Sequence, residues 1–303
     1  MNIFIIVVTY NGRKWYDKCF GSLRTSSIPV KIVVIDNAST DDTVSYIKAN
    51  YPEIYLFESS KNLGFGRANN IGLEYALNQG CDYVYLLNQD AWVEPETLEI
   101  LINVSQKNPD YGIISPIQVT ANGDKLDKNF EYCCDCQCCP DFINDLYFNT
   151  RKEIYKIHFI MAAHWLISRK CLMTVGGFSP VFPHYGEDDN FIARAKYHGF
   201  KCGISPYTQG IHDREFRKIT MQREMYLLHI QFIIQSSDIN NSKKRMIHHI
   251  FELSRSMLLS SYKNKSITPV KNFLKWLLMI PKIIKYKKMT RESKAPFLTL
   301  IDS

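Results

Sequence analysis

Short apolar segments alternate with segments of helical periodicity along the first half of the chain, and this alternation limits the folds open to it. Buried strands are predicted at residues 2–8, 30–35, 54–58 and 83–87. Helices are predicted between and after them, at residues 14–24, 39–50, 66–79 and 95–108. Strands that alternate with helices of this length predict an α/β fold with a doubly wound, mostly parallel sheet.

The second half of the chain is less regular. Residues 121–157 mix Gly, Asp, Asn, aromatic and Cys residues, which indicates an insertion or a weakly structured hairpin. Helices are expected at 169–175 and 187–198, and a late strand at 201–204 is expected to end in a loop at 205–210. From about residue 216 the pattern predicts helices with basic faces.

Polar side chains follow each of the first four predicted strands. They are Thr9, Tyr10 and Asn11, then Asp36 and Asn37, then Asn62 and Arg67, and finally Asn88, Gln89 and Asp90. Ligands of open α/β sheets bind beyond the carboxyl ends of the strands, so these residues predict a binding cleft. Asp36 can accept from the N3–H of uracil or thymine, or from a ribose hydroxyl. Asp90 suits a hard cation and the phosphates it bridges, although a turn Asp is the simpler alternative.

The glycine pattern argues against a nicotinamide enzyme. No Gly-x-Gly-x-x-Gly turn follows the first strand, and Gly64-Phe65-Gly66 is followed by Asn69 at the third glycine position. A phosphate-binding Lys loop is also missing.

Six segments occur in a diagnostic order. They are Val8-Thr9-Tyr10-Asn11-Gly12, residues 34–41, residues 62–70, Leu86-Leu87-Asn88-Gln89-Asp90, Gly176-Gly177-Phe178 and Gly186-Glu187-Asp188-Asp189. Over about the first 215 residues this set resembles the family 2 glycosyltransferases, inverting enzymes of the GT-A fold that use nucleotide-diphosphate sugars. Residues 87–92 are most similar to the rhamnosyltransferase-type members.

The resemblance implies a domain division and a donor site. Residues 1–215 would form the GT-A catalytic domain, with the nucleotide-sugar half at 1–115 and the acceptor half, including the Cys-rich insertion, at 116–215. The implied donor-binding residues are Thr9, Tyr10, Asn11, Asp36, Asn37, Arg67, Asn88, Gln89 and Asp90. Asp90 matches the metal-binding end of the Asp-x-Asp motif, and Asn88 replaces the first Asp. The implied cofactor is Mg²⁺ or Mn²⁺, which needs few protein carboxylates when phosphates supply other ligands.

The same resemblance assigns the catalytic base. Asp188 matches the residue that deprotonates the acceptor hydroxyl, and Glu187 beside it is a further catalytic candidate. The alternative is that these acids only complement the dipole of the helix that they begin. His212 matches a histidine that can join the metal ligands, although a lone His is often structural.

The expected activity is inverting transfer of a sugar, with rhamnose as one candidate, from a dTDP- or UDP-sugar to a saccharide or lipid-linked saccharide. Such a reaction serves cell-surface polysaccharide synthesis. Two alternatives stay open. One is a non-catalytic nucleotide-sugar binding protein, against which the intact Asp90 and Asp188 argue. The other is a nucleotidyltransferase, which needs a Gly-rich phosphate loop where this chain offers only Gly12, Arg13 and Lys14.

Cysteine usage and the lack of a signal peptide indicate a reducing cytoplasm. The chain has nine cysteines, an odd number, and no window approaches the apolar length of a spanning helix. Five of the thiols lie within residues 133–139. This cluster contains Cys-x-x-Cys spacings but no second ligand pair, so free thiols in a surface insertion are expected rather than a zinc knuckle.

The positive charge of the chain is concentrated in its C-terminal part. Residues 240–303 hold 14 Lys/Arg and three acids, so the remainder carries a net charge of −4 within a total of +7. Residues 271–288 combine lysines with a set of apolar side chains, namely Phe273, Leu274, Trp276, Leu277, Leu278 and Ile280. Residues 216–303 are therefore expected to dock peripherally on the anionic inner face of the membrane, the alternative being a helix packed on the catalytic body. Nucleic acid is not expected as a partner, because few aromatic residues are arranged for base stacking.

Overall fold

The computed structural model describes residues 1–214, 220–263, 265–292 and 294–300. The strands are β1 (Ile3–Thr9), β2 (Lys31–Asp36), β3 (Tyr55–Glu58), β4 (Tyr83–Asn88), β5 (Ala91–Val93), β6 (Tyr111–Thr120), β7 (Tyr155–Ile157), β8 (His164–Ser168) and β9 (Lys201–His212). The helices are α1 (Tyr16–Arg24), α2 (Thr43–Asn50), α3 (Phe65–Asn78), α4 (Thr97–Lys107), α5 (Lys128–Cys133), α6 (Phe142–Tyr147), α7 (Arg169–Val175), α8 (Glu187–Tyr197), α9 (Met221–Ser237), α10 (Lys243–Lys263), α11 (Thr268–Leu277) and α12 (Ile280–Glu292).

The strands form one mixed sheet in the order β3-β2-β1-β4-β8-β6-β9-β5, with β7 paired to β9. Strands β1 to β4 are parallel, as are β6 and β9, whereas β8 runs antiparallel between β4 and β6. The two short strands β5 and β7 pair antiparallel with β9. The predicted α/β class with a doubly wound, mostly parallel sheet is confirmed.

Both faces of the sheet are buried, because successive side chains of β1 point to opposite sides. Phe4 and Ile6 pack with residues of α3, α7 and α8 on one face. Ile5 and Val7 pack with residues of α1, α2 and α4 on the other. Burial of each such apolar side chain contributes roughly 1.5–3 kcal/mol, so the continuous apolar run of β1 fixes this strand in the middle of the sheet.

The insertion over residues 121–157 is more ordered than a weakly structured hairpin. It contains α5 and α6, which are anchored by the fully buried rings of Phe130 and Phe142. None of the nine cysteines forms a disulfide bond. The expected surface location holds only in part, since Cys134 and Cys139 are buried in the core.

The late strand is longer than predicted. Instead of ending at residue 204, β9 continues to His212 along β6. Its pairing passes from Pro116–Ser205 directly to Ile117–Gln209, so residues 206–208 form an irregularity within the strand. The turn-like residues that predicted a loop are absorbed by this bulge, and pairing with β6 then carries β9 to His212.

The C-terminal helices form a third apolar cluster. Phe273 and Trp276 are buried in it, with the Trp276 ring stacked on His229 at 5.1 Å between centroids. The expectation that these two side chains serve as membrane anchors is therefore wrong, because a pattern of apolar and basic residues does not reveal which surface covers the apolar face. Val181 and Phe182, which precede α8, belong to the same cluster. No helix among the described residues is long and apolar enough to cross a bilayer.

After α12 the chain returns to the α/β body formed by the sheet and its flanking helices. The Ala295 N–H donates to the carbonyl of Met173, and the Gly177 N–H donates to the carbonyl of Pro296 at 2.9 Å. The Thr299 N–H reaches the Glu74 carboxylate at 2.8 Å. Residues 295–299 thus contribute directly to the packing of α3 and α7, although the division at residues 215/216 remains a prediction.

Candidate active site

The parallel register of β1, β2 and β4 brings three predicted donor residues to one edge of the sheet. Thr9 pairs with Asp36, and the neighbouring Val8 pairs with Asn88. The buried Asp36 carboxylate accepts from the Thr9 hydroxyl at 3.2 Å and from the backbone N–H and hydroxyl of Ser39 at 3.0 and 2.5 Å. Three donors therefore fix this carboxylate in place at the base of the cleft.

The loops after β1 and β2 are locked to each other. Asn11 and Ala38 have left-handed backbone conformations, with φ of 48° and 65°. The Asn11 side-chain oxygen accepts from the Thr40 N–H at 2.8 Å, and the Asn11 N–H donates to the Ser39 hydroxyl at 3.0 Å. Such conformations cost about 1–3 kcal/mol each for residues other than glycine, and strain of this kind is concentrated at ligand sites.

Two predicted donor residues are already engaged by the protein. The Asn37 side chain donates to Asn62 at 3.1 Å and accepts from the Leu63 N–H at 2.7 Å. The Gln89 amide clamps the backbone of Tyr10, accepting at 2.9 Å and donating at 3.1 Å. Asn37 and Gln89 therefore shape the cleft walls, whereas the Tyr10 ring remains exposed.

Gly12 is required by the Gln89 clamp. A Cβ atom at residue 12 would lie 2.2 Å from Gln89 Oε1. A side chain at residue 12 would therefore displace Gln89 from Tyr10, which explains the glycine in the Thr-Tyr-Asn-Gly segment.

Arg67 lies in the first turn of α3 and joins this helix to the loop before α8. Its guanidinium donates to the Pro180 carbonyl at 2.9 Å. Gly64 makes a parallel close approach, since a Cβ there would lie 2.5 Å from the Pro183 carbonyl oxygen. The side chain is exposed, and its predicted contact with the donor diphosphate remains a prediction.

Asp90 and His212 face each other where β5 pairs with the end of β9. Asp90 Oδ1 lies 3.4 Å from His212 Nε2, and the Asp213 N–H donates to the Asp90 carbonyl at 2.8 Å. Burial alone would raise the pKa of Asp90. The hydrogen bond and charge of His212 outweigh this effect, so the pKa lies below its ordinary value. Asp90 therefore remains an anion at neutral pH.

This pair fits two neighbouring ligands of one divalent cation. Ligand atoms about 2.1 Å from an ion and at right angles to each other are roughly 3 Å apart, close to the observed 3.4 Å. Within the described ranges no group of three or more His, Cys, Asp or Glu side chains could hold a metal. Oxygens of a bound diphosphate and water would have to supply the remaining ligands, as Mg²⁺ commonly requires.

The sequence interpretation missed two residues on the far side of His212. Asp127 Oδ2 lies 3.6 Å from His212 Nδ1 and accepts from Arg214 Nε at 2.9 Å. Arg214 Nη2 lies 3.3 Å from the same ring nitrogen. Residues two apart at a strand end can point to the same side, so the spacing of His212 and Arg214 was a sequence signal for Arg214. Asp127 comes from a distant segment, and no sequence pattern indicated that it would lie beside His212.

Asp188 lies in the first turn of α8, which follows Gly186 in a left-handed conformation with φ of 82°. The Asp188 carboxylate accepts from the Asp189 N–H at 3.0 Å, and the backbone of Ala162 lies close enough to lower its pKa. The adjacent residue Ala163 accepts from the Asn88 N–H at 3.1 Å. The turn at residues 162–163 therefore connects Asp188 to the carboxyl end of β4.

Burial raises the pKa of all three acids at this helix start. The pKa of Glu187 is raised to about 8 and that of Asp189 to about 7, with the charge of Asp188 adding to the effect of burial in both. The pKa of Asp188 is raised by burial as well. A purely dipolar role would stabilise the anions and lower their pKa values, so this alternative does not account for the environment.

The Cys-rich segment adjoins the same cleft. Burial raises the pKa of the Cys133 thiol to about 12, and the charges of Asp188 and Asp127 add to the effect. Cys133, at the end of α5, therefore lies near both Asp188 and Asp127.

The match to known proteins decides the family. The family model described as Glycosyl transferase family 2 covers residues 4–176, more than half of the chain. The chain belongs to glycosyltransferase family 2. The resemblance predicted from the ordered motifs is confirmed.

Two relatives within this family are informative. The SPbeta prophage-derived glycosyltransferase SunS of Bacillus subtilis is 24% identical over 227 residues, which cover 73% of this chain and 44% of SunS. The N-acetylglucosaminyl-diphospho-decaprenol L-rhamnosyltransferase of Mycobacterium tuberculosis is 28% identical over 122 residues, covering 37% of this chain and 40% of the relative. The chain thus spans less than half the length of either relative, and the second supports the predicted rhamnosyltransferase likeness.

Solved structures confirm the GT-A fold. Residues 1–349 of S. aureus TarS, solved in complex with UDP, match this chain with a TM-score of 0.57 at 14% identity. The match covers 96% of this chain and 88% of that fragment. GalNAc-T7, solved with UDP, GalNAc and Mn²⁺, has a TM-score of 0.57 at 13% identity over 78% of this chain and 50% of that protein. At these identities the likeness concerns the fold alone.

Proposed function

We propose that this protein transfers a sugar, with inversion at the anomeric carbon, from a dTDP- or UDP-sugar to a saccharide or lipid-linked saccharide acceptor. The observation that carries the proposal is the position of Asp188, a carboxylate of raised proton affinity joined through residues 162–163 to the donor edge of the sheet. TarS has been solved with UDP and with UDP-GlcNAc, which supports a nucleotide-sugar donor. Rhamnose is a candidate sugar because of the mycobacterial relative.

The chemistry needs one base and a stabilised leaving group. Asp188 would accept the proton of the acceptor hydroxyl as its oxygen attacks the anomeric carbon, on the face opposite the departing diphosphate. A single displacement of this kind inverts the anomeric centre. The raised pKa makes Asp188 a stronger base than an exposed Asp, provided that it is ionised. A divalent cation held by Asp90 and His212 would neutralise the charge that develops on the diphosphate.

The cleft offers less support for the two rival functions. A nucleotidyltransferase needs a glycine-rich loop whose N–H groups are free to bind phosphate. Here the Tyr10 and Asn11 N–H groups after β1 are taken by Gln89 and Ser39. A non-catalytic binding protein has no need of a partly buried carboxylate at Asp188, and taking a charged group out of water costs folding free energy.

We further propose that the protein works in the cytoplasm and binds peripherally to an anionic membrane surface. The buried Phe273 and Trp276 cannot anchor it, but α10 exposes a different apolar stripe. The stripe comprises Ile247, Phe251, Leu258 and Tyr262, each at least 58% exposed and spaced to lie on one helical face. Lys243, Lys244 and Arg255 belong to the same helix and supply positive charge for anionic headgroups.

A panel of dTDP- and UDP-sugars, scored by release of the nucleoside diphosphate in the presence of saccharide acceptors, tests the proposed transfer. Asp188→Asn should reduce turnover by about 10²–10⁴-fold, because the positioned base is lost. Asp189→Asn makes the same exchange one residue away and serves as the matched control, which should stay within about tenfold of the parent enzyme. Near-normal turnover of Asp188→Asn would remove Asp188 from the mechanism, and failure of every donor would refute the transfer itself.

The cation is tested separately. Excess chelator and Asp90→Ala should each abolish most of the turnover, since the developing diphosphate charge would then lack its counterion. Full turnover in chelator would show that cationic side chains stabilise the diphosphate unaided.

A further inference from the structure

His212 is held from both sides of its ring. Nε2 faces Asp90 at 3.4 Å, whereas Nδ1 faces Asp127 Oδ2 at 3.6 Å and Arg214 Nη2 at 3.3 Å. Both His212 and Asp127 are buried, at 3% and 2% exposure. Burying a carboxylate costs free energy unless the charge is paired or hydrogen-bonded. None of the sequence motifs assigned a role to Asp127, which lies behind a candidate metal ligand.

Asp127 is itself rigidly fixed. Its Oδ1 caps α5 by accepting from the Asn129 and Phe130 N–H groups at 2.9 and 3.1 Å. Its own N–H donates to the Gln118 carbonyl at 2.9 Å, and the Phe130 ring is fully buried. Only Oδ2 remains for His212 and Arg214, and the Arg214 guanidinium balances its charge at 2.9 Å.

The two neighbours of Nδ1 favour opposite ring tautomers. A neutral imidazole has one N–H and one lone pair, and only the lone pair binds a cation. Arg214 can only donate, so it favours a lone pair on Nδ1 and a proton on Nε2. The Asp127 carboxylate can only accept, so it favours the proton on Nδ1. When a cation replaces the hydrogen bond between His212 Nε2 and Asp90, the Nε2 lone pair is then free to bind that cation.

We propose that Asp127 is the positioning residue of the cation site: it accepts the Nδ1 proton of His212, and so directs the Nε2 lone pair toward a cation shared with Asp90. This inference rests on the cation site of the proposed function. Carboxylates commonly orient metal-binding histidines in this way, and their loss lowers metal affinity by about 10–100-fold. The segment at residues 121–157 would then serve the site directly, through the capping residue of α5.

Direct binding of Mn²⁺ in the presence of UDP, measured by titration calorimetry or electron paramagnetic resonance, tests this role without turnover. In Asp127→Asn the side-chain oxygen can still cap α5, while the amide NH₂ faces Nδ1 and selects the wrong tautomer. Its Mn²⁺ affinity should fall by about 10–100-fold. Because the exchange also removes the charge that pairs with Arg214, its melting temperature should fall, and the affinity is measured well below that temperature. Asp127→Ser also keeps a cap and cannot reach the ring, so it should lose affinity similarly even if the Asn variant folds poorly.

Asp124→Asn is the matched control. Asp124 is an exposed acid of the same segment that accepts from the Thr120 hydroxyl at 2.9 Å, a bond that Asn can keep. This variant should bind Mn²⁺ like the parent. Equal loss of affinity in Asp124→Asn and Asp127→Asn would assign the effect to net charge and overturn the positioning role.

Nitrogen NMR of labelled histidine, with Mg²⁺ and UDP bound, reports the tautomer. The proton of His212 should lie on Nδ1 in the parent and on Nε2 in Asp127→Asn. Parent-like affinity in a folded Asp127→Asn variant would refute the inference, as would reduced affinity with the parent tautomer. If the parent and Asp90→Ala bind Mn²⁺ equally, the cation site itself fails, which is a separate result from failure of Asp127 alone.

Discussion

The buried carboxyl group of Glu187 makes the stability of this protein depend on pH. Glu187 is 4% exposed, and its Oε2 has no hydrogen-bond partner among the described residues. His184 Nδ1 lies 4.0 Å from its Oε1. Burial, with a smaller contribution from the charge of Asp188, raises the pKa of Glu187 from 4.5 to about 8. The folded chain therefore keeps this proton across a pH range in which the unfolded chain has lost it.

The size of the effect follows from linkage. Between pH 4.5 and about pH 8 the unfolded state binds fewer protons at this residue than the folded state, so the free energy of unfolding falls as the pH rises. Each pKa unit corresponds to about 1.36 kcal/mol. A carboxyl group with the pKa of Glu187 should therefore cost roughly 3.5 kcal/mol of stability between pH 5 and pH 8.

Glu187→Gln removes the titration and keeps the shape of the side chain. Near pH 5 the variant and the parent should have similar stability. At pH 8 the variant should be more stable by roughly 2–4 kcal/mol, or several degrees in melting temperature for a chain of this length. Thermal or urea unfolding across this pH range measures the difference.

Glu131→Gln is the matched control, because it makes the same exchange at an exposed residue of α5. Its stability relative to the parent reports the general effect of removing one negative charge. A stability difference between Glu187→Gln and the parent that is the same at pH 5 and pH 8 would refute the argument from desolvation.

Three further outcomes are expected. Because burial raises the pKa of Asp188, kcat/KM should fall on the acid side at a higher pH than the ordinary Asp value of about 4; a constant kcat/KM down to pH 4.5 would contradict this. NMR of the product should show the anomeric configuration opposite to that of the donor, and retention would rule out a single displacement by the acceptor. The full chain should sediment with anionic but not neutral liposomes at low salt, since each basic residue near an anionic surface contributes about 1 kcal/mol. Phe251→Glu, at an exposed residue of α10, should weaken this sedimentation, and unchanged sedimentation would mean that the apolar stripe does not touch lipid.

The donor edge of the cleft could be predicted from sequence because its geometry follows from strand order. Parallel neighbours end at the same edge, so Thr9, Asp36 and Asn88 had to meet once the first, second and fourth strands were assigned. The orientation of each side chain could not be predicted in this way. Asn37 and Gln89 bind other parts of the protein, and their partners depend on loops whose conformations are set by tertiary contacts.

The C-terminal part shows a different limit of sequence patterns. An amphipathic helix reveals that one face will be covered, but water-exposed and protein-covered surfaces leave the same pattern in the chain. The apolar set around Phe273 and Trp276, which the sequence pattern emphasised, packs against α9. The exposed apolar stripe of α10 was not predicted from the sequence. Residues 295–299 also bind α3 and α7, so a truncation before α10 would disturb the catalytic body, and single substitutions on α10 are the sounder test of membrane binding.

The two acids assigned to the chemistry have environments that shift their pKa values in opposite directions. Both are desolvated, but His212 and more distant Arg214 outweigh burial at Asp90 and lower its pKa, whereas burial prevails at Asp188 and raises it. An acid that stays ionised suits a permanent anionic ligand for a cation, and an acid of higher proton affinity suits a base that must take up a proton. The replacement of the first motif acid by Asn88 is consistent with this division, because His212 on β9 can supply the second ligand to a cation at Asp90.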